Sequence, residues 1–403
     1  MYLTKYEERI YRGDFGETLA KALRVIVKVG ESLGAKKLIN ISHAHISGVS
    51  YSNIGDAGLN FLRDLAREKI FFKVYTTANP GSLDTESIKY FNYSREFIDK
   101  QLEILNIYRF LGVDIFTCAP YHVRTPRYGE HLSWAESNAI LVANSLYGAR
   151  TNKEAGILAL FSALTGKTYY AGLHITRERY PRVVINVKSH RREYTYIGLL
   201  GLYIGKLVGD KIPYIIGLGK LDIERIKTLL AAIGTTGSVG MSIIEGVSPE
   251  EPDILSYYNE YIEDRIEIED KDIKIFEESS RELCDDPEVF IIGCPHVSPE
   301  FLLELRELLA KVESKPKKPI LLFTPPTYFS NSYLKEILDE LSRKGIYVIK
   351  SVCPVTSPLY ELGYRCVGTI SSKALFYLPK LAKTSVALMD LQDIIRRVYE
   401  SGS

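Results

Sequence analysis

The sequence lacks most of the features that would place it in a specialised class of proteins. Its 403 residues carry a net charge of only +1, so no overall basic field is present to attract nucleic acid or a membrane surface. The N-terminal segment is charged and has no apolar core of the kind that a secretory signal needs. The most apolar stretch, residues 197–219, is interrupted by charged residues and a proline, which is typical of a buried helix and strand. These absences predict a cytoplasmic protein that binds neither nucleic acid nor a membrane.

Cysteine is also scarce, with five in the chain, and an odd number argues against a framework of disulfides. Three of them share one context: Cys118, Cys294 and Cys353 each follow an apolar run typical of a buried strand, and each precedes a proline by one or two residues. Ligands bind at the carboxyl ends of strands in an open α/β sheet, so these three thiols are predicted to converge. Cys284 and Cys366 lack this context and are interpreted as small hydrophobic residues of the core.

Three converging thiolates without a fourth are typical of an iron–sulfur cluster that leaves one iron open. A zinc ion with three thiolate ligands is the second interpretation, since catalytic zinc also keeps a free position. The third interpretation is that the thiols are unrelated and simply buried, as free cysteines commonly are. The residues alone leave all three open.

Strands that alternate with helices run through most of the sequence and predict an α/β fold with functional loops at strand carboxyl ends. We divide the chain into an N-terminal α/β unit at 1–152, a middle α/β region at 153–270 and a C-terminal domain at 271–403. The first unit contains one of the three grouped cysteines, and the last contains the other two. Regular alternation in the C-terminal domain predicts a doubly wound parallel sheet.

One stretch, residues 117–152, concentrates chemically useful side chains. It opens with Cys118 and, directly after the only tryptophan and an alanine, contains Glu136, Ser137 and Asn138. A thiol, a carboxylate, a hydroxyl and an amide so close together are typical of a site that binds a polar anion beside a metal. The alternative interpretation is a loop followed by the cap of a helix.

A set of short segments, spread along nearly the whole chain, carries a resemblance to a known family. The segments are HISGVS at 45–50, TTANP at 76–80, TCAPY at 117–121, WAESN at 134–138, ANS at 143–145, GARTN at 148–152, GCPH at 293–296, CP at 353–354 and SSK at 371–373. With them the sequence resembles the aconitase X family. It departs from the expected pattern twice: the C-x-x-C pair of aconitase proper is absent, and Ile370 stands where we expect an amide.

The resemblance implies an aconitase-like α/β fold of several units, with parallel-type sheets and the site at strand carboxyl ends between the domains. It implies that Cys118, Cys294 and Cys353 hold a four-iron four-sulfur (4Fe-4S) cluster. The residues that it places around the substrate are Gly48, Val49, Ser50, Asn79, Pro80, Glu136, Ser137 and Lys373. Within this set, Glu136, Ser137 and Lys373 are expected to be catalytic.

The reaction that the resemblance implies is a dehydration by a hydro-lyase of the archaeal modified mevalonate pathway, which makes isoprenoids. The substrate is then (R)-5-phosphomevalonate, and the product is trans-anhydromevalonate 5-phosphate. An open iron polarises the hydroxyl, backbone amides at 48–50 with Lys373 hold the anionic ends, and Glu136 hydrogen-bonds the departing water. The alternative within the family is a cis-3-hydroxyproline dehydratase. The alternative of another class is a non-catalytic iron–sulfur protein that binds RNA or acts as a sensor, which the near-neutral charge disfavours.

A partner chain is the last expectation. The resemblance implies that the base for the α-proton is a serine on a small swivelling domain. The sequence ends at Ser403, directly after a predicted helix at 389–400, which leaves no room for that domain. We therefore expect a separate small subunit that supplies the serine and forms a heterodimer with this chain. Ser371 and Ser372 are the alternative candidates for the base.

Overall fold

Parallel β-sheets flanked by helices organise the chain in a computed structural model that describes residues 1–90, 93–251, 258–279 and 284–399. The helices of this part are α1 (Lys5–Arg12), α2 (Glu17–Ser32), α3 (Tyr51–Arg67), α4 (Arg95–Leu111), α5 (Ser137–Ser145), α6 (Gly156–Thr165), α7 (Tyr194–Val208), α8 (Ile223–Thr236), α9 (Tyr258–Tyr261), α10 (Asp270–Ser279), α11 (Pro299–Leu309), α12 (Ser332–Arg343), α13 (Ser372–Leu381) and α14 (Leu391–Tyr399).

The strands of the same residues are short and mostly buried. They are β1 (Leu38–Asn40), β2 (His43–Ile46), β3 (Tyr75–Ala78), β4 (Val113–Phe116), β5 (Ser133–Trp134), β6 (Lys167–Tyr169), β7 (Val183–Val187), β8 (Pro213–Ile216), β9 (Ile243–Ile244), β10 (Asp264–Ile268), β11 (Val289–Ile292), β12 (Ile320–Thr324), β13 (Ile346–Lys350), β14 (Cys366–Thr369) and β15 (Ser385–Leu388).

The first sheet has the order β4-β3-β2-β5 with every pair parallel, and an antiparallel ribbon of β1 and β6 lies beside it. Apolar residues at helical spacing over residues 5–35 predict one long helix before this sheet. The structure has two helices, since Gly13 adopts a left-handed φ of 102° and ends α1. Helix α2 then buries Leu19, Leu23 and Ile26 in the core.

The second sheet has the order β10-β7-β8-β9 and is also parallel. The apolar stretch 197–219 forms most of α7 and all of β8, as the interrupted pattern predicted. Glycines let α7 and α8 approach closely: a Cβ added at Gly201 would lie 2.6 Å from the backbone oxygen of Leu229. Within the described residues, no helix is long and apolar enough to cross a membrane.

The third sheet confirms the predicted doubly wound topology. Its order is β13-β12-β11-β14-β15, and every pair is parallel. The chain winds outward from β11 in one direction and then from β14 in the other, so the direction reverses between these two strands. Loops at the carboxyl ends of the strands around such a switch point form the usual ligand-binding crevice of open α/β sheets.

Two cysteines were interpreted wrongly. Cys284 and Cys366 form a disulfide with Cα atoms 5.7 Å apart. Cys366 is buried as expected, but its partner lies next to it because the chain before β11 runs beside β14, where the Glu288 N–H donates to the Cys366 carbonyl at 2.9 Å. A separation of 82 residues left no local signal of this pairing in the sequence. The remaining cysteines, Cys118, Cys294 and Cys353, are free thiols.

Candidate active site

The three free thiols follow three different strands. Cys118 comes two residues after β4 of the first sheet, Cys294 two residues after β11, and Cys353 three residues after β13 of the third sheet. Each is half-buried. Their loops touch: the backbone N–H of His296 donates to Sγ of Cys118 at 3.3 Å, and the N–H of Cys353 donates to the carbonyl of Gly81 at 2.8 Å. The loops that carry these cysteines therefore join the first and third sheets.

His296 connects all three cysteine loops. It lies two residues after Cys294 and is fully buried. Its Nε2 donates to the carbonyl of Val352, next to Cys353, at 2.9 Å, and its Nδ1 lies 3.0 Å from the hydroxyl of Thr117, next to Cys118. Burial lowers the pKa of His296 to about 4, so the ring is neutral. Since a carbonyl only accepts, Nε2 carries the proton and Nδ1 accepts from the Thr117 hydroxyl.

Helix α8 of the second sheet anchors the same loop from behind. The ammonium of Lys227, fully buried, donates to the carbonyl of His296 at 2.9 Å and pairs with the carboxylate of Glu224 at 2.8 Å. The Ser298 N–H donates to the same carboxylate at 2.9 Å. The carboxylate of Glu224 compensates the buried charge of Lys227, so this contact fixes the loop between Cys294 and α11.

The chemistry of the thiols fits a cluster that each of them would ligate at a different iron. Burial raises the pKa of all three, to about 12 for Cys294, so a thiolate here needs a strong positive partner. Among the described residues, no three His, Cys, Asp or Glu side chains are grouped closely enough to hold one metal ion. Three thiolates suit an iron–sulfur cluster with one open iron, and zinc with three thiolate ligands stays the second interpretation.

Glu136 lies at the junction of the first and third sheets. It caps the N-terminus of α5, and its Oε2 accepts from Nδ2 of Asn79 at 3.0 Å. Its Oε1 is in direct contact with the ammonium of Lys373, in the first turn of α13. Burial by itself raises the pKa of the Glu136 carboxyl, but the Lys373 charge and the two hydrogen bonds outweigh it and hold the pKa below its ordinary value. The structure therefore brings three of the predicted residues into contact.

The predicted loop at 48–50 is linked to the loop of Cys353 through a serine that sequence reasoning missed. Ser50 precedes α3, and its hydroxyl contacts the hydroxyl of Ser82. Ser82 also donates to the carbonyl of Thr356, three residues after Cys353, at 2.7 Å. Gly48 supplies the turn with a φ of 86°. Val49 is buried, and its carbonyl accepts from the side chain of Gln101 at 3.0 Å.

The remaining predicted residues are placed less directly. Pro80 is buried directly after Asn79, which positions it in the same loop. Ser137 begins α5 and faces α8, because a Cβ added at Gly234 would lie 3.4 Å from the Cβ of Ser137. No side-chain contact of Ser137 with the Glu136–Lys373 pair was found within the described part of the chain. Its neighbour Asn138, singled out in the sequence for its type alone, donates to the carbonyl of Cys118 at 2.6 Å.

Comparison with known proteins gives the family. Models of the first, second and third domains of aconitase X match residues 1–177, 181–278 and 287–400. The chain belongs to the aconitase X family. A crystal structure of Thermococcus kodakaraensis aconitase X in its holo-form is similar to this chain, with a TM-score of 0.89 and 36% identity over 99% of this chain and 100% of that one. The aconitase-like α/β fold expected from the sequence is confirmed.

Curated relatives of this aconitase X chain carry the names of dehydratases. The chain is 37% identical to the phosphomevalonate dehydratase large subunit of Thermococcus kodakarensis, over 98% of this chain and 99% of the relative. It is 36% identical to the protein of that name from Methanocaldococcus jannaschii, over 98% and 100%. It is 31% identical to cis-3-hydroxy-L-proline dehydratase of Pseudomonas aeruginosa, over 96% of this chain but 68% of the relative.

The departure at Ile370 has a structural account in this aconitase X chain. Ile370 is buried against the apolar core of the third sheet, which includes Phe290 and Ile292. It also lines a small cavity together with Cys294 and Lys373. An isoleucine here gives the cavity an apolar wall beside the polar residues 371–373, which also line it.

Sequence reasoning missed Thr77, Ser82, Glu224 and Lys227. Thr77 and Ser82 lie within or just after the segment TTANP, and their position beside Asn79 was the available signal. Lys227 lies in an ordinary amphipathic helix and had no signal, because its contact with His296 depends on the packing of α8 against another sheet.

Proposed function

We propose that the chain is the large subunit of a phosphomevalonate dehydratase, a hydro-lyase that converts (R)-5-phosphomevalonate to trans-anhydromevalonate 5-phosphate. The observation that carries this proposal is the end-to-end match to relatives of that name. Five such proteins are 33–38% identical to this chain, and each aligns over at least 92% of its own length. The cis-3-hydroxy-L-proline dehydratases are 29% and 31% identical, and this chain spans 64% and 68% of them.

Cys118, Cys294 and Cys353 would hold the 4Fe-4S cluster in this proposal. When bound, the cluster supplies a Lewis-acidic iron that makes a tertiary hydroxyl a better leaving group. The chain itself supplies the frame, because hydrogen bonds of His296 and Lys227 hold the loops that carry the thiols.

Glu136 and Lys373 act on the substrate directly. The Glu136 carboxylate is ionised, largely buried and held by two donors, so it accepts a hydrogen bond from the hydroxyl that departs as water. An ammonium has three N–H donors, and the contact with Glu136 leaves capacity on Lys373 for an anionic group of the substrate. The backbone at 48–50, at the N-terminus of α3, offers N–H groups to the other anionic end.

We infer that the base comes from a small subunit. The relatives named above are called large subunits, which implies a smaller partner for those proteins. Ser371 is unsuited to be the base, since its hydroxyl donates to the carbonyl of Cys294 and accepts the N–H of Ala374. Ser372 is buried under α7, where a Cβ added at Gly198 would lie 2.3 Å from its hydroxyl oxygen. A serine from a small swivelling subunit remains the proposed base, in a heterodimer that needs neither nucleic acid nor a membrane.

The test is a substrate comparison on protein rebuilt without oxygen. The large chain, with iron and sulfide analysed, is mixed with its small subunit and given (R)-5-phosphomevalonate or cis-3-hydroxy-L-proline in turn. Formation of the anhydro product from the first, followed by mass spectrometry, is expected. If the enzyme turns over only cis-3-hydroxy-L-proline, the proposed substrate is wrong. If the protein contains no iron and sulfide, the proposed cluster is wrong.

A further inference from the structure

We propose that Thr77 is a positioning residue for Glu136, acting through His45 and Asn79 in a hydrogen-bond chain that begins at His43. The inference rests on the proposed role of Glu136 and, besides Asn79, assigns three further side chains a task in the same reaction, namely His43, Thr77 and His45. The chain runs from His43 Nε2 to Thr77 Oγ1 (3.0 Å) and on to His45 Nδ1 (2.8 Å). It continues from His45 Nε2 to Asn79 Oδ1 (2.9 Å) and from Asn79 Nδ2 to Glu136 Oε2 (3.0 Å).

Two neighbouring strands carry most of the residues of this hydrogen-bond chain. In the parallel pairing of β2 with β3, His45 lies opposite Thr77. His43 and His45 are two residues apart on β2 and so point to one face of the sheet. On that face Trp134, fully buried, makes edge contacts with both imidazoles, at ring-centre distances of 5.2 and 6.0 Å. The fixed pairing of two short strands therefore sets the spacing of the polar groups.

Each hydrogen bond in the chain has one possible direction, fixed from the Glu136 end. A carboxylate only accepts, so Asn79 presents its NH₂ group to Glu136 and its oxygen to His45. His45 therefore carries its proton on Nε2, and as a neutral ring it accepts at Nδ1 from the Thr77 hydroxyl. The Thr77 oxygen then accepts from Nε2–H of His43. All donors point toward Glu136, and aligned hydrogen bonds of this kind polarise one another.

Burying the polar groups of this hydrogen-bond chain costs folding free energy, so their presence indicates a function. His43, His45 and Thr77 are all fully buried in a region where apolar side chains would fill the space without polar groups to satisfy. The polar path is continuous and ends at the ionised carboxylate that touches Lys373. Without the Thr77 hydroxyl, only the oxygen of Asn79 still favours a proton on Nε2 of His45, and Nδ1 is buried without a donor. The other tautomer would turn a lone pair toward Asn79 and favour a flipped amide that faces Glu136 with its oxygen.

The experiment compares Thr77→Val, which removes only the hydroxyl, with Thr77→Ser, which keeps it. The matched control is Thr76→Val, because Thr76 is equally buried on the other face of β3, where its hydroxyl bonds the carbonyl of Val74 at 2.8 Å. In the enzyme with its cluster and small subunit, Thr77→Val is expected to lower kcat at least about tenfold with KM changed less. Thr77→Ser should restore most of the rate, and Thr76→Val should stay near wild type, with equal iron content throughout.

A double variant tests whether the effect passes through Glu136. In a Glu136→Gln background, Thr77→Val should cost little further rate, because residues that act as a unit are not additive. A full additional loss in that background would overturn the proposal, as would a wild-type rate for Thr77→Val alone.

A spectroscopic measurement keeps the proposal separate from the choice of substrate. ¹⁵N NMR of the histidine side chains distinguishes the two neutral tautomers. His45 should carry its proton on Nε2 in the wild type and in Thr77→Ser, and this preference should be weaker in Thr77→Val. A His45 ring protonated on Nδ1 in the wild type would refute the proposed hydrogen-bond chain. Lack of activity on (R)-5-phosphomevalonate with the expected His45 tautomer would instead refute only the proposed function.

Discussion

The imidazole of His296 donates a hydrogen bond to the carbonyl of Val352, 2.9 Å away, and so joins the loop of Cys294 to the loop of Cys353. The other ring nitrogen accepts from Thr117, beside Cys118. One side chain thus spans three chain segments that are far apart in sequence. We expect it to preform the cluster site and so to lower the entropy lost when the thiols take up iron.

Replacing His296 by Ala should therefore reduce cluster retention without removing a ligand. The expected result is slower reconstitution and a lower iron-to-protein ratio, with a partial recovery in His296→Gln, whose amide retains one donor. The control is an equivalent change at His174, another fully buried histidine that lies outside the cysteine loops. Equal iron content in His296→Ala and the wild type would show that the loops are held without this residue.

The cysteines give a second prediction. Cys118→Ala, Cys294→Ala and Cys353→Ala should each lose most of the iron and the activity, because three ligands leave no spare for a cluster. The matched control is Cys366→Ala, which breaks the disulfide instead and should keep the iron while losing about 2–4 kcal/mol of stability.

Counting thiols checks the assignment of the disulfide. Alkylation of unfolded protein without a reductant, after the cluster has been removed, should label three cysteines, and five after reduction. Five labelled thiols before reduction would show that the disulfide is absent. Iron loss from Cys366→Ala would show that Cys366 cannot be separated from the three proposed ligands.

Much of this architecture was predictable because short local patterns in the sequence determine it. Strand, loop and helix alternate over the C-terminal residues, and the context shared by Cys118, Cys294 and Cys353 placed each at the end of a strand. The disulfide and the contact from Lys227 to His296 were not predictable, since each depends on how separate segments pack. The same holds for Thr77: its type is ordinary for a strand, and its importance appears only when β2 pairs with β3.

The pair of Glu136 and Lys373 gives the third prediction. Glu136→Gln keeps the shape and removes the charge, so turnover should fall by about 10²-fold or more while iron stays bound. Lys373→Ala leaves a buried carboxylate without its cation and should cost about 3–5 kcal/mol of stability in addition to substrate affinity. Steady-state kinetics with iron analysis test both, and normal kinetics in both variants would remove the pair from the site.

Glu154 gives a prediction for pH. Burial raises the pKa of its carboxyl from 4.5 to about 7, against the smaller opposite effect of a hydrogen bond from Tyr169. A carboxyl with a raised pKa in the folded state favours folding only when protonated, so its contribution is complete below pH 4.5 and is lost as the pH rises toward about 7. The loss amounts to about 3 kcal/mol, from 1.36 kcal/mol per pKa unit.

Glu154→Gln should therefore stabilise the protein at pH 8 by up to about 3 kcal/mol and have little effect near pH 4.5. Urea unfolding midpoints at the two pH values measure the difference. Glu313→Gln, the same change at an exposed position, provides the matched control. A stabilisation that is larger in acid than in alkali would reverse the sign and exclude the assignment of Glu154.

The last prediction concerns which of the two subunits supplies the catalytic base. The large chain with its cluster rebuilt should bind iron but dehydrate (R)-5-phosphomevalonate at a negligible rate, because Ser371 is occupied as the cap of α13 and Ser372 is buried. Adding the small subunit should restore turnover, and replacing the proposed serine of that subunit by Ala should abolish it.

Ser372→Ala in the large chain should leave the restored rate nearly unchanged. Ser371→Ala should lower iron content instead, since the serine hydroxyl holds the carbonyl of Cys294. Full activity of the large chain alone, lost in Ser371→Ala or Ser372→Ala with iron retained, would return the base to this polypeptide.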